Sequence, residues 1–422
     1  MIASLLMWAI ARRLWGYAWL ASAAAFLLGI EGLWFVMSRI AMLDIYVAFF
    51  VLCGVWLMLE DRARHGPDSR GRRWWRLAAG ISFGLALASK WGALPFFIVA
   101  IFIATWWAIS DSVAGGGRML RRLGGVWRSL IFVPVIVYVA TYAPWFADSH
   151  RYNPPKCETV HADWLAQKGV EETLTGWVSH LGTFGRWVCY QKEEASFHSN
   201  LRTFNAKSQL KTVTPFGTPT TSLVTTEEIG HPYFGNAWSW PWIGRPVAHY
   251  YRSTGDGDRQ RVEHIVGLPN PLIWWTAFFI CIPALAWWGL FKRDRIASLL
   301  LAFILVGWAP YLYADATGRG VFFFYATPMV PFLVLAVIHT MARGIAWSEV
   351  MTWIWIGFVL LATWMFVYFY PVIAAYPLAD NGLWSWANHM WLNAPRWVIF
   401  NHPLIPGDCL AHSDVIKHFC WI

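Results

Sequence analysis

The chain has 422 residues, of which 57% are hydrophobic and only 14% are charged, with a formal net charge of +9. Soluble globular proteins carry about 25% charged residues, so a soluble class is excluded for most of this chain. The positive charges lie in short loops between apolar runs, a distribution that favours a lipid bilayer over nucleic acid as the partner.

Six apolar runs contain no Asp, Glu, Lys or Arg. A helix needs about 20 mostly apolar residues to cross roughly 30 Å of hydrocarbon, and the ten-residue alternation of barrel strands is absent. The sequence therefore predicts an all-α polytopic membrane protein, a helical bundle with an external loop region. The six runs are 91–109, 129–147, 270–291, 296–314, 321–342 and 350–373.

Three short hydrophilic connections are basic: 60–76, 110–128 and 292–295. Short loops rich in Lys and Arg stay on the cytoplasmic side, so all three are expected to face the cytoplasm. Residues 148–268 instead balance 12 basic with 12 acidic residues and are expected outside. Because two cytoplasmic loops flank 77–109, we predict that the chain crosses twice there and turns outside at Lys90.

This logic divides the chain into membrane helices within 1–147, an extracytoplasmic segment 148–268, membrane helices within 269–373, and an extracytoplasmic tail 374–422. A multi-pass protein of the cell (inner) membrane is expected. Residues 1–11 are about half the required length and resemble the second half of a crossing helix. The predicted crossings are 17–36, 42–59, 77–88, 91–109, 129–147, 270–291, 296–314, 321–342 and 350–373.

Four of the six cysteines fall in the segments predicted to lie outside, where disulfide bonds persist. Four cysteines allow three pairings. Proximity in the sequence favours Cys157–Cys189 and Cys409–Cys420. The spacing of His, Cys and acidic residues gives no metal site.

Four cations lie close to the predicted outer face, and ionisable groups near membrane depth are functional candidates. Each one alone is also explained as an anchor that reaches the headgroups. Together, they predict a site for a lipid phosphate or pyrophosphate, with Arg as a bidentate ligand and Lys as a point charge. These cations are Arg39, Lys90, Arg245 and Arg319.

Polar and aromatic residues near these cations are candidates for supporting roles. Asp44 lies five residues after Arg39, about one helical turn inside, where it is expected to pair with or orient that Arg. His231 is a candidate contact for a sugar or acceptor, with a purely structural role in the loop as the alternative. The other supporting candidates are Ser38, Tyr233 and Trp240.

The motifs around these residues resemble the dolichyl- or polyprenyl-phosphate-mannose protein O-mannosyltransferases of the GT-C superfamily, bacterial type. The resemblance spans nearly the whole chain. It is carried by Glu31 through Asp44 with its Ser-Arg-x-x-x-Leu-Asp pattern, Ala88-Ser-Lys-Trp-Gly92, His231-Pro-Tyr233, Ser239-Trp-Pro-Trp-Ile-Gly-Arg-Pro-Val247, and Arg319 through Phe332.

The resemblance implies inverting transfer of mannose from a polyprenyl-phosphate carrier to Ser or Thr of exported proteins at the outer leaflet. It implies that Arg39 and Lys90 hold the leaving phosphate, with Arg245 and Arg319 as further candidates. No metal or cofactor is expected. The implied partners are the lipid-linked donor, the exported acceptor, the bilayer, and protein-export machinery or an upstream chain.

One departure from the family concerns the catalytic base. The family has eleven crossings with an acidic pair in the first external loop, whereas nine crossings plus the partial helix 1–11 are predicted here. No residue maps onto that pair, so the base is unassigned and residues 1–422 alone are expected to transfer no sugar. The alternatives are transfer of another lipid-linked sugar or to a non-protein acceptor, an inactive partner subunit, and a transporter.

Overall fold

Long apolar helices dominate the structure, a computed structural model that describes residues 1–65, 73–114, 119–148, 181–200, 204–213, 220–229, 233–255, 257–379, 384–390, 398–399 and 402–403. Within these residues, seven helices are long and apolar enough to cross a membrane, or eight if one bent pair forms a single span. The helical, multi-pass membrane fold predicted from the apolar runs is confirmed.

The first part of the chain is helical in all its described segments. A 3-10 turn at Trp91–Ala93 leads into α6, and a π turn at Arg128–Phe132 joins α7 to α8, so Met119–Thr141 forms one span. The helices are α1 Ile2–Trp15, α2 Ala18–Gly29, α3 Gly32–Ile40, α4 Leu43–Arg64, α5 Trp74–Ser89, α6 Leu94–Ala114, α7 Met119–Trp127, α8 Val133–Thr141 and α9 Ala143–Ala147.

The second part mixes helices with strands. A π turn at Thr276–Cys281 joins α11 to α12, and 3-10 turns lie at Ala237–Trp242 and Phe323–Met329. The elements are α10 Gly182–Asn200, β1 Phe204–Val213, β2 Thr220–Ile229, β3 Ala248–Thr254, β4 Arg261–Val266, α11 Pro271–Trp275, α12 Ile282–Phe291, α13 Arg295–Ala316, α14 Val330–Trp347, α15 Glu349–Ala374, β5 Leu378–Ala379, α16 Trp386–His389, β6 Val398–Ile399 and β7 His402–Pro403.

The predicted crossing 17–36 is not one straight helix. It is the bent pair α2 and α3, which meet at 61°. Glu31 lies at the bend, 1% exposed, and accepts hydrogen bonds from the backbone N–H of Trp34 at 2.7 Å and of Asn270 at 3.1 Å. An acid that caps a helix satisfies amide groups that would otherwise be unpaired. Glu31 is therefore fully used in holding the bend against the start of α11.

Helices α4 and α5 lie side by side, and ion pairs join them at both ends. Arg73 binds Asp61 at 2.6 Å at one end, and Lys90 binds Asp44 at 2.9 Å at the other. Helix α6 then runs back toward the end of α4, where Arg62 on α4 pairs with Asp111 near the end of α6. This is the out-and-back path that the basic loops predict.

Helix α5 is shorter than a standard crossing. Its 16 residues extend about 24 Å at about 1.5 Å per residue. The predicted crossing 77–88 is not among the seven spans, and 17–36 is present only as the bent pair. Glycine lets it pack closely: a Cβ on Gly80 would lie 1.9 Å from the carbonyl oxygen of Ser129, and one on Gly84 would lie 2.7 Å from Cβ of Val137. That the path crosses the bilayer twice within 77–109 stays a prediction.

The described helix ends that flank the three basic connections carry a group of ion pairs, and this end of the bundle is here called the basic end. The end of α4 pairs with α1, α5 and α6, and α14 pairs with the start of α13; Trp15 on α1 and Asp294 both contact His339 on α14. The ion pairs are Arg13–Glu60, Arg64–Glu60, Arg73–Asp61, Arg62–Asp111 and Arg343–Asp294. Which face of the membrane this end meets stays a prediction.

Stacked aromatic rings form the centre of the bundle. Phe332 on α14 stacks against Phe303 on α13, with ring centroids 4.4 Å apart, and against Phe96 on α6 at 5.9 Å. All three side chains are about 1% exposed. Gly307 lies under Phe96, whose ring would be 2.7 Å from an added Cβ. These ring contacts hold α6, α13 and α14 together in the interior of the bundle.

The segment 148–268, predicted only as an external loop region, contains strands. β1 and β2 form an antiparallel hairpin with Phe204 opposite Ile229, and β3–β4–β5 form an antiparallel sheet. The pairing of β3 with β4 has a bulge between Ala248 and Tyr250. These strands are polar or short, so the sequence lacks the alternation of apolar and polar residues that would have predicted them. β5 comes from the predicted tail, which ties the end of α15 to this sheet.

Candidate functional site

Lys90 forms a bidentate ion pair with Asp44 at the end of the bundle opposite the basic end. The lysine lies between α5 and the turn Trp91–Ala93, and its Nζ is 2.9 Å from both carboxylate oxygens. Asp44 lies in the first turn of α4, where the helix dipole favours a negative charge, and is 3% exposed. The expectation that Asp44 pairs with Arg39 is therefore not met, because its carboxylate binds Lys90.

Two tyrosines cover this pair. The ring centroid of Tyr325 is 4.1 Å from Nζ of Lys90, a cation–π contact. The ring of Tyr311 lies 5.6 Å from that of Tyr325 and 5.2 Å from that of Trp240. Gly92 makes room for Tyr311, since an added Cβ would be 3.0 Å from the hydroxyl. A row of rings thus connects the ion pair to the Trp-rich turn.

Arg319 completes this group. Gly318, with φ of 73°, ends α13 in the left-handed region, and the chain then reverses at Arg319. Arg319 interacts electrostatically with Tyr311 and Tyr325, as Asp44 does. Its Nε is buried and makes no hydrogen bond to any residue that the structure describes. We call Asp44, Lys90, Tyr311, Arg319 and Tyr325 the lysine cluster.

Arg245 is buried beside this cluster, at 5% exposure and with φ of 57°. Burial lowers the pKa of its guanidinium, whereas the nearby Tyr233 raises it. Gly235 packs against Arg245, and its N–H donates to the carbonyl of Val321 at 2.9 Å. The strand-like bridge between Gly235 and Val321 therefore holds the Arg245 segment next to Arg319.

Arg39 lies at the carboxyl end of α3 and is exposed. Its guanidinium carbon is 5.3 Å from the ring centroid of Phe35. Ser38 is also exposed and donates to the carbonyl of Phe35 at 2.9 Å, one turn back. Ala41, with φ of 53°, ends α3 and turns the chain into α4. Arg39 thus precedes the cluster on the same turn without contacting Asp44.

Two further predictions differ in how the structure bears on them. Trp240 is 1% exposed, and its carbonyl accepts from Nε1 of Trp274 at 2.7 Å, so it is a packed residue of the turn. His231 lies outside the described residues, and its predicted contact stays a prediction. Cys189 is disulfide-bonded. The other three cysteines of the predicted pairs, Cys157, Cys409 and Cys420, lie outside the described residues, so the pairings Cys157–Cys189 and Cys409–Cys420 remain predictions.

Sequence reasoning missed several residues that shape this region. Asp315, near the end of α13, accepts hydrogen bonds from the backbone N–H groups of Ala237 and Trp238 and so holds the Trp-rich turn. An acid at the end of an apolar run was the available signal. Tyr311 gave no signal, because a tyrosine within an apolar helix is common. Its role depends on Gly92 and Trp240, which are distant in the sequence.

His249 is a third residue that the sequence did not single out. It falls within the β3 bulge, and its ring lies 5.8 Å from that of Phe324, one residue before Tyr325. Burial lowers its pKa to about 4, so the imidazole is neutral at physiological pH. A bulge often changes the direction of a side chain next to a functional site. The position of a bulge cannot be predicted from the sequence, so His249 could not be singled out there.

The segment that carries the first half of this region matches a known family. The family model for dolichyl-phosphate-mannose-protein mannosyltransferase matches residues 1–149, which include Arg39, Asp44 and Lys90. A polyprenol-phosphate-mannose–protein mannosyltransferase of Corynebacterium glutamicum is 28% identical over 379 residues, which cover 81% of this chain and 64% of the relative. These matches confirm the resemblance to protein mannosyltransferases that the motifs predicted.

Further relatives agree with this resemblance. Proteins of the same name from Mycolicibacterium smegmatis and Mycobacterium tuberculosis are each 26% identical over 92% of the chain, and the matches cover 74% and 73% of those proteins. The chain thus spans less than two thirds of the length of the Corynebacterium relative and about three quarters of the length of the others.

The fold is also that of a solved mannosyltransferase. The structure of the Saccharomyces cerevisiae protein O-mannosyltransferase Pmt1-Pmt2 complex bound to the sugar donor matches with a TM-score of 0.60. The match covers 89% of this chain and 77% of that chain at 12% identity. The predicted all-α, GT-C-like helical bundle is therefore confirmed as the fold of this chain.

Proposed function

We propose that the chain carries the donor-phosphate site of an enzyme that moves mannose from a polyprenyl-phosphate carrier to Ser or Thr of exported proteins. In this proposal the lysine cluster, with Arg39 and Arg245 next to it, holds the phosphate. The reaction takes place at the outer leaflet, where residues 148–268 and the tail 374–422 are expected.

One observation carries the proposal. The segment matched by the family model contributes Asp44 and Lys90, and the fold brings Arg319 and Tyr325 to them from a distant part of the sequence. Ionisable groups gathered at one end of a membrane bundle are costly unless they serve a ligand or ion pathway. The orphaned, buried Nε of Arg319 is a donor that a phosphate oxygen would satisfy.

The chemistry requires these charges. The bond between mannose C1 and the phosphate oxygen breaks, a bond from C1 to the acceptor oxygen forms, and the acceptor proton leaves to a base. Negative charge grows on the departing polyprenyl phosphate, so cations that bind it more strongly in the transition state accelerate the step. No residue of this chain is assigned as the base.

The test is transfer of mannose from polyprenyl-phosphate-mannose to a Ser/Thr peptide, with membranes that contain the chain in an active assembly. Arg39→Ala is expected to lower the rate by about 10²–10³, the usual effect of removing a transition-state charge contact. Arg39→Lys is expected to recover only part of it, since the planar fork is lost.

Arg121→Ala is the matched control. Arg121 is an exposed arginine in the first turn of α7, whose loop adjoins the basic end, so the same loss of charge there is expected to leave the rate unchanged. Wild-type rates for Arg39→Ala at equal membrane abundance would remove Arg39 from the phosphate site and leave it as a headgroup anchor.

A further inference from the structure

The lysine cluster contains an acidic residue, Asp44, although an acid weakens the binding of an anion. Asp44 places its whole carboxylate against Lys90, with both oxygens 2.9 Å from Nζ. Other acids at this end serve the backbone instead: Glu31 caps α3, and Asp315 holds the Trp-rich turn. Asp44 is therefore the acid of these three that bears directly on the charge available to a ligand.

The ion pair changes how much positive charge the cluster presents. Lys90 and Asp44 cancel, which leaves the guanidinium of Arg319 as the uncompensated charge within the cluster. A phosphodiester such as a sugar linked through one phosphate carries one negative charge. A sugar linked through pyrophosphate carries two. Arg39 and Arg245 lie next to the cluster and add to its positive charge, and Asp44 lowers the total by one, which weakens binding of the second negative charge of a pyrophosphate more than binding of a phosphodiester.

We propose that Asp44 is a specificity-determining residue, which cancels the charge of Lys90 and so fits the lysine cluster to phosphodiester-linked donors rather than pyrophosphate-linked ones. The inference rests on the proposed function and adds to it a reason for the donor class. The pair is a rigid feature, because Lys90 is also held against the ring of Tyr325 at 4.1 Å.

The physical basis is repulsion. A second phosphate group in the cluster would approach the carboxylate of Asp44, which is 3% exposed and hence weakly screened by water. Two like charges close together repel much more strongly at the low effective dielectric constant near a protein than in water. Like charge placed against the wrong ligand is a common means of specificity.

The experiment measures binding, so it does not require transfer. The full chain in lipid nanodiscs is titrated calorimetrically with a short-chain isoprenyl-phosphate-mannose and with its pyrophosphate-linked counterpart. The wild type is expected to prefer the phosphodiester. In Asp44→Asn the ratio of the two dissociation constants is expected to move toward the pyrophosphate by at least about tenfold.

Two variants separate this role from a structural one. Asp44→Asn/Lys90→Gln restores the net charge of the cluster, so its ratio is expected to return close to the wild-type value, and it tests the proposal even if Asp44→Asn folds poorly. Asp315→Asn removes an acid at the same end that holds backbone, and its ratio is expected to change less than threefold, well under the shift for Asp44→Asn.

The outcomes are distinct. An equal loss of both ligands in Asp44→Asn, or an equal shift of the ratio in Asp315→Asn, would overturn the selector role while leaving the phosphate site in place. Binding of neither ligand by the folded wild type would overturn the proposed function as well. Binding with the expected ratios supports the inference, whether or not the chain transfers mannose.

Discussion

The two ends of the helix bundle hold charges in different ways. At the basic end, each of three buried or partly buried acids meets two basic side chains: Glu60 with Arg13 and Arg64, Asp61 with Arg73 and His65, and Asp294 with Arg343 and His339. At the lysine cluster, among the residues that the structure describes, Asp44 meets Lys90 alone, as Asp111 meets Arg62 at the basic end, and Nε of Arg319 makes no hydrogen bond.

The difference lies in how the arginines are used. Five arginines at the basic end pair with acids and so hold the helices together there. A buried arginine nitrogen without a hydrogen bond to a described residue occurs at both ends, as Nε of Arg76 at the basic end and as Nε of Arg319 at the lysine cluster. In our proposal a phosphate oxygen satisfies the donor of Arg319, because this arginine lies next to the lysine cluster's other ionisable groups.

Loss of Lys90 is expected to have the largest effect on stability. Lys90→Met leaves the buried carboxylate of Asp44 without its partner, and breaking such a pair costs about 3 kcal/mol or more. The measurement is the free energy of unfolding in mixed micelles. Lys90→Met/Asp44→Asn is expected to recover most of the loss, because the buried charge is gone.

The basic end supplies the matched control for this prediction. Arg73→Met removes a partner of Asp61, which keeps His65 at 3.4 Å, so a smaller loss is expected than at Lys90. Equal losses at the two sites would show that both ends are equally well compensated, and the comparison between them would fail.

Acid is expected to loosen the sheet next to the lysine cluster. His264 on β4 is 2% exposed, and its Nδ1 accepts a hydrogen bond from Nε1 of Trp386 at 3.0 Å. Burial lowers its pKa from 6.5 to about 4. The unfolded chain therefore binds this proton first, so stability is present above about pH 6.5 and is lost as the pH falls toward 4.

Between pH 7 and pH 5 this histidine is expected to reduce the free energy of unfolding by about 2 kcal/mol. His264→Asn keeps an acceptor for Trp386 but cannot take up the proton, so its stability is expected to depend less on pH over this range. The slope that remains includes His249, whose pKa is also lowered to about 4. Identical slopes for variant and wild type would assign the acid sensitivity elsewhere.

The smallest effect is expected from Arg13 at the basic end. Its side chain is 39% exposed, and Glu60 keeps Arg64 at 3.0 Å when Arg13 is lost. Arg13→Ala is therefore expected to cost less than about 1 kcal/mol and to leave phosphodiester binding unchanged. A loss as large as that of Lys90→Met would mean that this end is not redundant.

Local patterns predicted much of the fold. Apolar length predicted the long helices, and the charged loops predicted that 60–76, 110–128 and 292–295 share one end, where the ion pairs of Asp61, Asp111 and Asp294 now gather. The bend at Glu31 was missed, because a hydrophobic run looks the same whether it is straight or broken. The polar strands were missed for the lack of alternation.

The candidate site was predictable only in part. Lys90, Asp44 and Arg319 were named because charges are rare in apolar surroundings, and the family model later matched the segment with the first two. The partner of Asp44 was wrong, since spacing along one helix favoured Arg39 whereas the fold supplied Lys90 from α5. Tyr311 could not be predicted from the sequence, because its role depends on the residues that its ring contacts in the fold.

The sequence by itself determined that the chain is a membrane protein, which loops share one end, and which residue types are costly enough to be functional. Burial of apolar length and the expense of charge in hydrocarbon are properties of single segments, so they can be read along the chain. Tertiary structure decided which charges cancel. The pair between Asp44 and Lys90, which are 46 residues apart, and the position of Arg319 beside them depend on how distant segments pack. Electrostatic energy follows the distances in space rather than the order in the sequence.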